Sequence, residues 1–100
     1  MLNDPQLRKL TGDIVHGRLP AVELLRVLTE PTTDSEGNDA LRITLVLTHE
    51  AVDSLTGEQT LKLLVDIQQA ILGQGDERFP IIEYATEDDL REEELQEDAD

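Results

Sequence analysis

In the stretch ALRITLVLT, Leu41, Ile43, Leu45 and Leu47 alternate with Arg42, Thr44, Val46 and Thr48. Successive side chains of a strand point to opposite faces, so four aliphatic residues at every second position commit this segment to a strand with one buried face. A slip of one residue would turn all four to solvent. The rest of the chain must therefore supply partner strands and a layer that covers that face.

The polar segment PTTDSEGND precedes the strand and has the composition of a hairpin loop. Residues 21–30 read in two ways. Val22, Leu25 and Leu28 fit a helix, whereas Leu25, Val27 and Thr29 opposed to Leu24, Arg26 and Leu28 fit a buried strand. The loop that follows favours the strand, and Pro31 ends it. Thr56 and Gln59 have the spacing of a capping box. Beyond them Leu61, Leu64, Val65, Gln68, Ile71 and Leu72 mark one face of a helix, widened by Leu63, Ile67 and Ala70, and Gly73 and Gly75 end it. Phe79 to Ala85 reads as a third strand with Pro80 at its start or on an edge. At the N-terminus Asp4 and Pro5 open a helix whose stripe is Leu7, Leu10 and Ile14, and Gly17 stops it.

The expected order is α-β-β-α-β. A strand–helix–strand step within one sheet makes the third strand parallel to the second. The fold class is α+β, a two-layer sandwich on a three-stranded mixed sheet, with helices on one face. Leu41, Ile43, Leu45 and Leu47 are expected to pack on Leu61, Leu64, Val65 and Leu72. Residues 1–90 form the single domain. Thr86 and Asp89 can cap a final acidic turn or helix anchored by Leu90 and Leu95, and residues 91–100 form an acidic tail expected to be mobile.

The net charge is −15, and residues 86–100 hold nine acids and one base of that total. Such a surface repels phosphate backbones and anionic lipid, and attracts basic proteins or cations. Phe79 and Tyr84 are the only aromatics, so there is no set of platforms for stacking bases. Neither nucleic acid nor membrane is expected as a partner. The absence of Cys excludes disulfides and thiolate metal sites. No run approaches the roughly 20 apolar residues that span a bilayer, and MLNDPQLRKL lacks the apolar stretch of a secretory signal. A soluble, cytoplasmic domain is expected.

The motifs that could carry chemistry are incomplete. His49-Glu50-x-x-Asp53 lacks the second histidine of a zinc helix and reads as a surface turn. Asp34, Glu36 and Asp39 surround Gly37, but a calcium loop needs its glycine sixth, not fourth. The segment from Gly73 to Arg78 follows a helix where a phosphate cradle would precede one. Arg78 is expected to form a structural ion pair with Asp39 or Asp76. Neither His16 nor His49 sits in a nucleophile–base pattern, so no catalytic residue, metal or cofactor is expected.

DSEGNDALRITLVL and GDERFPIIEYAT resemble stretches of a group of small, acidic bacterial proteins of unassigned function that share DALRIT and RFPIIEYAT. The resemblance spans residues 22–90 and implies a companion, a second small, mostly helical protein, as in toxin–antitoxin-like pairs. The element order also resembles type II KH domains, including the ribosome-binding factor A fold. This chain has neither a GxxG segment nor a basic face, so RNA binding does not carry over.

These features together point to a non-catalytic protein-interaction module, the acidic, antitoxin-like member of a two-protein pair, with a basic or helical protein as partner. The expected contacts are Val46 and Tyr84 on the open part of the sheet and Glu92, Glu93 and Glu94 on the tail. A homodimer through the sheet is left open. The alternative is a small-ligand or cation-binding regulatory domain.

Overall fold

The computed structural model describes the backbone of residues 1–98 and the side chains of residues 1–93. Its elements are α1 (Asp4–Arg18), β1 (Leu24–Thr33), β2 (Asp39–Leu47), α2 (His49–Ser54), α3 (Gly57–Gly73), β3 (Phe79–Ala85) and α4 (Glu87–Asp98). The alternating segment β2 is the central strand of a three-stranded sheet, antiparallel to β1 and parallel to β3. Residues 21–30 thus lead into a strand. It runs on through Pro31 to Thr33 instead of ending there, because an edge strand tolerates a residue without an amide donor. The chain is an α+β domain with the expected order, to which the short helix α2 is added, and the final acidic segment capped by Thr86 and Asp89 is the helix α4.

The hairpin between β1 and β2 closes on Asp34. Its Oδ1 accepts from the amides of Glu36 and Asn38, each at 2.9 Å. Gly37 turns the chain at a φ of 84°, which the missing Cβ allows. These amide donors, that of Asn38 foremost, hold the Asp34 carboxyl below its ordinary pKa. The carboxylate is engaged in folding its own loop.

Leu41, Ile43, Leu45 and Leu47 form the centre of the core, each at no more than 1% exposure. They pack with Leu7 and Val15 of α1 and with Leu63, Ile67 and Ile71 of α3. This corrects the expected face of α3. Leu61, Val65 and Leu72 are 62%, 40% and 56% exposed, and Leu64 is only half-buried. The helix is apolar on two faces, and periodicity does not choose between them. Gln68 decides. It interrupts the row of Leu61, Val65 and Leu72, and burying its amide without partners would be unfavourable. The uninterrupted row of Leu63, Ile67 and Ile71 therefore faces the sheet.

Capping differs in detail from the expected pattern. The side chain of Asn3, rather than Asp4, accepts from the Gln6 amide at 2.9 Å, and the Gln6 side chain accepts in return from the Asn3 amide at 3.0 Å. The helix α1 runs one residue past Gly17 and turns Leu7, Thr11 and Val15 inward. Thr56 and Gln59 make the expected box at the start of α3. The segment from His49 is a short helix, not a turn, because the Thr48 hydroxyl accepts from the Ala51 amide.

A buried ion pair fastens the N-terminus to the turn between α3 and β3. Asp76 accepts from the Arg78 guanidinium at 2.7 and 3.0 Å, from the Arg78 amide at 3.1 Å and from the Leu2 amide at 3.2 Å. Arg78 also donates to the Leu2 carbonyl at 3.0 Å. Of the two partners expected for Arg78, Asp76 is the one it bonds.

The second face of the sheet carries Arg26, Leu28 and Glu30 of β1, Arg42, Thr44 and Val46 of β2, and Ile81, Glu83 and Ala85 of β3, by strand register. The expectation that this face is open needs correction around Val46, which is 0% exposed. The chain leaves β3 and turns into α4 over this face, so that Leu90 and Glu93 of α4 line a recess with Leu28, Thr44 and Glu83. Arg26, in the same cross-sheet row as Val46, holds the first turn of α4 through Glu87 at 2.9 and 3.0 Å. The helix continues to Asp98, and the expected partner-binding residue Glu94 lies on it, although its side chain is outside the described residues. No helix among the described residues is long and apolar enough to cross a membrane.

Candidate protein-binding surface

Both edges of the sheet offer unpaired backbone groups, but they are not equally guarded. The β1 edge has a register shift between Leu24 and Arg26 and carries Pro31, features that discourage pairing with another strand. The β3 edge has Pro80 near its start and then runs Ile81, Ile82, Glu83, Tyr84 and Ala85. Beside it, an apolar groove of about 430 Å³ is lined by Leu61 and Leu64 of α3 and by Phe79, Ile82 and Tyr84 of β3. Phe79 is 47% exposed. Such exposure is unusual for the only phenylalanine of a chain with so few aromatics.

On the opposite side of β3 lies a cleft of about 340 Å³ between the strand end and α4, lined by Glu83, Ala85, Asp89, Leu90, Glu92 and Glu93, with Thr44 and Tyr84 completing it. Its acids have different duties. Asp89 accepts from the Thr86 amide at 3.0 Å while its own amide donates to the Thr86 hydroxyl at 3.2 Å, which caps α4 as expected. Glu83 lies 3.5 Å from Arg42. Glu92 and Glu93 are exposed. Three acids in the first turn of α4 also suit the positive end of the helix dipole.

Contact between α2 and α4 adds a titrating element. His49 Nε2 lies 3.0 Å from Asp88 Oδ2, and this hydrogen bond, with the charges of Asp88, Asp89 and Asp53, raises the His49 pKa. The contact therefore holds in acid and weakens as pH rises through the raised value.

Of the expected contact residues, the structure brings Tyr84, Glu92 and Glu93 to one region and sets Val46 apart. Leu45 pairs with Tyr84 and Val46 with Ala85, so Tyr84 points to the core face and Val46 to the other. Val46 is fully buried and offers no surface, which removes it as an exposed contact. Sequence reasoning missed Leu61, Val65, Leu72 and Phe79 as surface residues. The signal that could have exposed the first three was Gln68 in the middle of their row.

Tyr84 packs against the core, and its hydroxyl is buried without a hydrogen-bond partner among the described residues. Burial alone pushes its pKa up. Removing an orphan hydroxyl relieves a desolvation penalty. Tyr84→Phe is therefore expected to leave stability unchanged or raise it by up to about 1 kcal/mol, as read from urea unfolding. A loss of more than about 1 kcal/mol would show that the hydroxyl is bonded.

Among the described residues no group of three or more His, Asp or Glu side chains is arranged to hold a metal ion. In comparisons with known proteins, no family model, curated protein or solved structure matches the chain.

Proposed function

We propose that this chain is a non-catalytic protein-interaction module, the acidic member of a two-protein pair, and that it takes a basic segment of its partner along the β3 edge. Apolar side chains of that segment occupy the groove of Leu64, Phe79 and Tyr84, and its Lys or Arg side chains enter the cleft beside Glu92 and Glu93. The observation that carries this reading is that Tyr84 lines both recesses. One extended segment laid on β3 can thus reach an apolar and an acidic site together, while open backbone groups of the strand supply hydrogen bonds. The charge of −15 adds long-range attraction for a basic partner.

A pull-down from native extract, read by mass spectrometry, is expected to return one basic protein in stoichiometric amount. With that protein purified, replacing Glu92, Glu93 and Glu94 with Gln should slow association and flatten its salt dependence, with dissociation nearly unchanged. Phe79→Ala should speed dissociation by about tenfold, as loss of a buried aromatic anchor does. Phe79 is a cleaner probe than Tyr84, whose removal would also disturb the core. Binding that vanishes with the three acids and ignores Phe79 would reduce the interaction to nonspecific electrostatics. Retention of duplex DNA or RNA at physiological salt would defeat the charge argument.

A further inference from the structure

The sequence of α4 is a poor helix on its own. Apart from Arg91 its charges are all acids, at Glu87, Asp88, Asp89, Glu92, Glu93, Glu94, Glu97 and Asp98. Asp88 stands four residues from Glu92 and Asp89 four from Glu93, spacings at which like charges repel along a helix face. Its last turn has no base to meet the negative end of the dipole. A helix of 12 residues is marginal in water even with a favourable sequence. This one therefore depends on its docking. That docking also shapes the acidic cleft, because α4 supplies Asp89, Leu90, Glu92 and Glu93 of its lining.

Two clasps join the first turn of α4 to other elements. Arg26 of β1 donates to both carboxylate oxygens of Glu87, at 2.9 and 3.0 Å. His49 of α2 meets Asp88 at 3.0 Å. Leu90 adds an apolar contact but is only half-buried. The clasps differ in one respect. A guanidinium keeps its charge at every pH a protein meets, whereas an imidazole gains or loses its charge near neutrality.

The groups around His49 fix the sign of the effect. Asp53 of α2 and Asp88 and Asp89 of α4 all favour the charged imidazole. The dipole of α2 opposes that charge only weakly, since the helix has 6 residues. Arg91 competes for Asp88 from 3.5 Å. A neutral His49 thus leaves the carboxylate paired within α4 and no longer across to α2.

We propose that α4 is a pH-controlled strap, closed over the cleft when His49 is protonated and loosened when it is neutral, with Arg26 as the clasp that does not titrate. Its consequence for binding rests on the β3-edge reading above. Glu92 and Glu93 stand beside Tyr84 only while the strap is closed, so acid assembles the site for a basic segment and rising pH loosens it.

Hydrogen exchange of the chain alone, with rates corrected for the intrinsic pH dependence of amide exchange, tests this without a partner. Protection of the peptide covering Glu87–Glu93 is expected to fall about two- to fivefold between about pH 5.5 and about pH 8.5, as loss of one exposed ion pair allows. Peptides of α3 should keep theirs. His49→Gln should show the low value at both pH values, and His49→Arg, whose charge is fixed, the high value at both. Arg26→Gln should lower protection throughout and retain the fall with pH. Both positions are exposed, so these variants should leave α3 protected as in the wild type. Equal wild-type protection at the two pH values, a fall of the same size in His49→Gln, or an Arg26→Gln chain protected as well as the wild type would overturn the proposal. A basic protein that still binds the β3 edge under any of these results would leave the proposed function standing, so the two readings can fail separately.

Discussion

Leu45→Ala and Ile67→Ala are each expected to lower stability by about 2–5 kcal/mol, whereas Leu61→Ala should change it by no more than about 0.5 kcal/mol. Leu45 and Ile67 are at 1% and 0% exposure, on the facing surfaces of β2 and α3, and truncating either leaves a cavity that its neighbours cannot fill. Leu61 is 62% exposed and loses little on truncation. Urea unfolding midpoints measure all three. A large loss in Leu61→Ala with none in Ile67→Ala would mean that α3 turns its other face to the sheet.

Asp76→Ala is expected to cost about 3–5 kcal/mol, because it strands the Arg78 guanidinium and the Leu2 amide beneath the N-terminus. The carboxyl is held from an ordinary 3.8 to about 2, by the Arg78 side chain first and then by the amides of Arg78 and Leu2. A depressed carboxyl stabilises the fold fully above its unfolded pKa and loses that contribution as pH falls through its folded value. The wild-type chain should therefore lose roughly 2 kcal/mol from this group between about pH 4 and about pH 2. The Asp76→Ala variant lacks this component, so its acid dependence should be shallower. Equal acid sensitivity in the two proteins would contradict the latch.

The sheet was largely legible in the sequence because its signals are local. The alternation from Leu41 to Leu47 specified β2, the loop around Asp34 and Gly37 specified a hairpin, and the strand–helix–strand step made β3 parallel. The side-chain environment was less legible where it depended on distant register. Tyr84 and Val46 both read as sheet residues, but only the pairing of β2 with β3 assigns them to opposite faces. The buried side of α3 was ambiguous because Leu61, Val65 and Leu72 are as apolar as Leu63, Ile67 and Ile71. The helix α4 was capped as expected by Thr86 and Asp89, yet its position over the sheet depends on Arg26, sixty-one residues before Glu87. Thr48 followed by Glu50 was a legible start for α2, although the incomplete metal motif at His49 obscured it.

The acidic character had a similar fate. Composition announced a surface that attracts basic groups, and the fold concentrates part of it in the cleft lined by Glu83, Asp89, Glu92 and Glu93. It did not announce that Leu61, Val65 and Leu72 of α3 would be left exposed.

Hydrogen exchange read by mass spectrometry on the purified chain, alone and with the basic protein that the proposed function calls for, tests the central claim most directly. Peptides covering Phe79–Ala85 and Glu87–Glu93 should exchange more slowly in the complex, and the hairpin loop around Gly37 should not change. Protection confined to that loop or to α1, with β3 unaffected, would contradict the β3 edge as the binding surface.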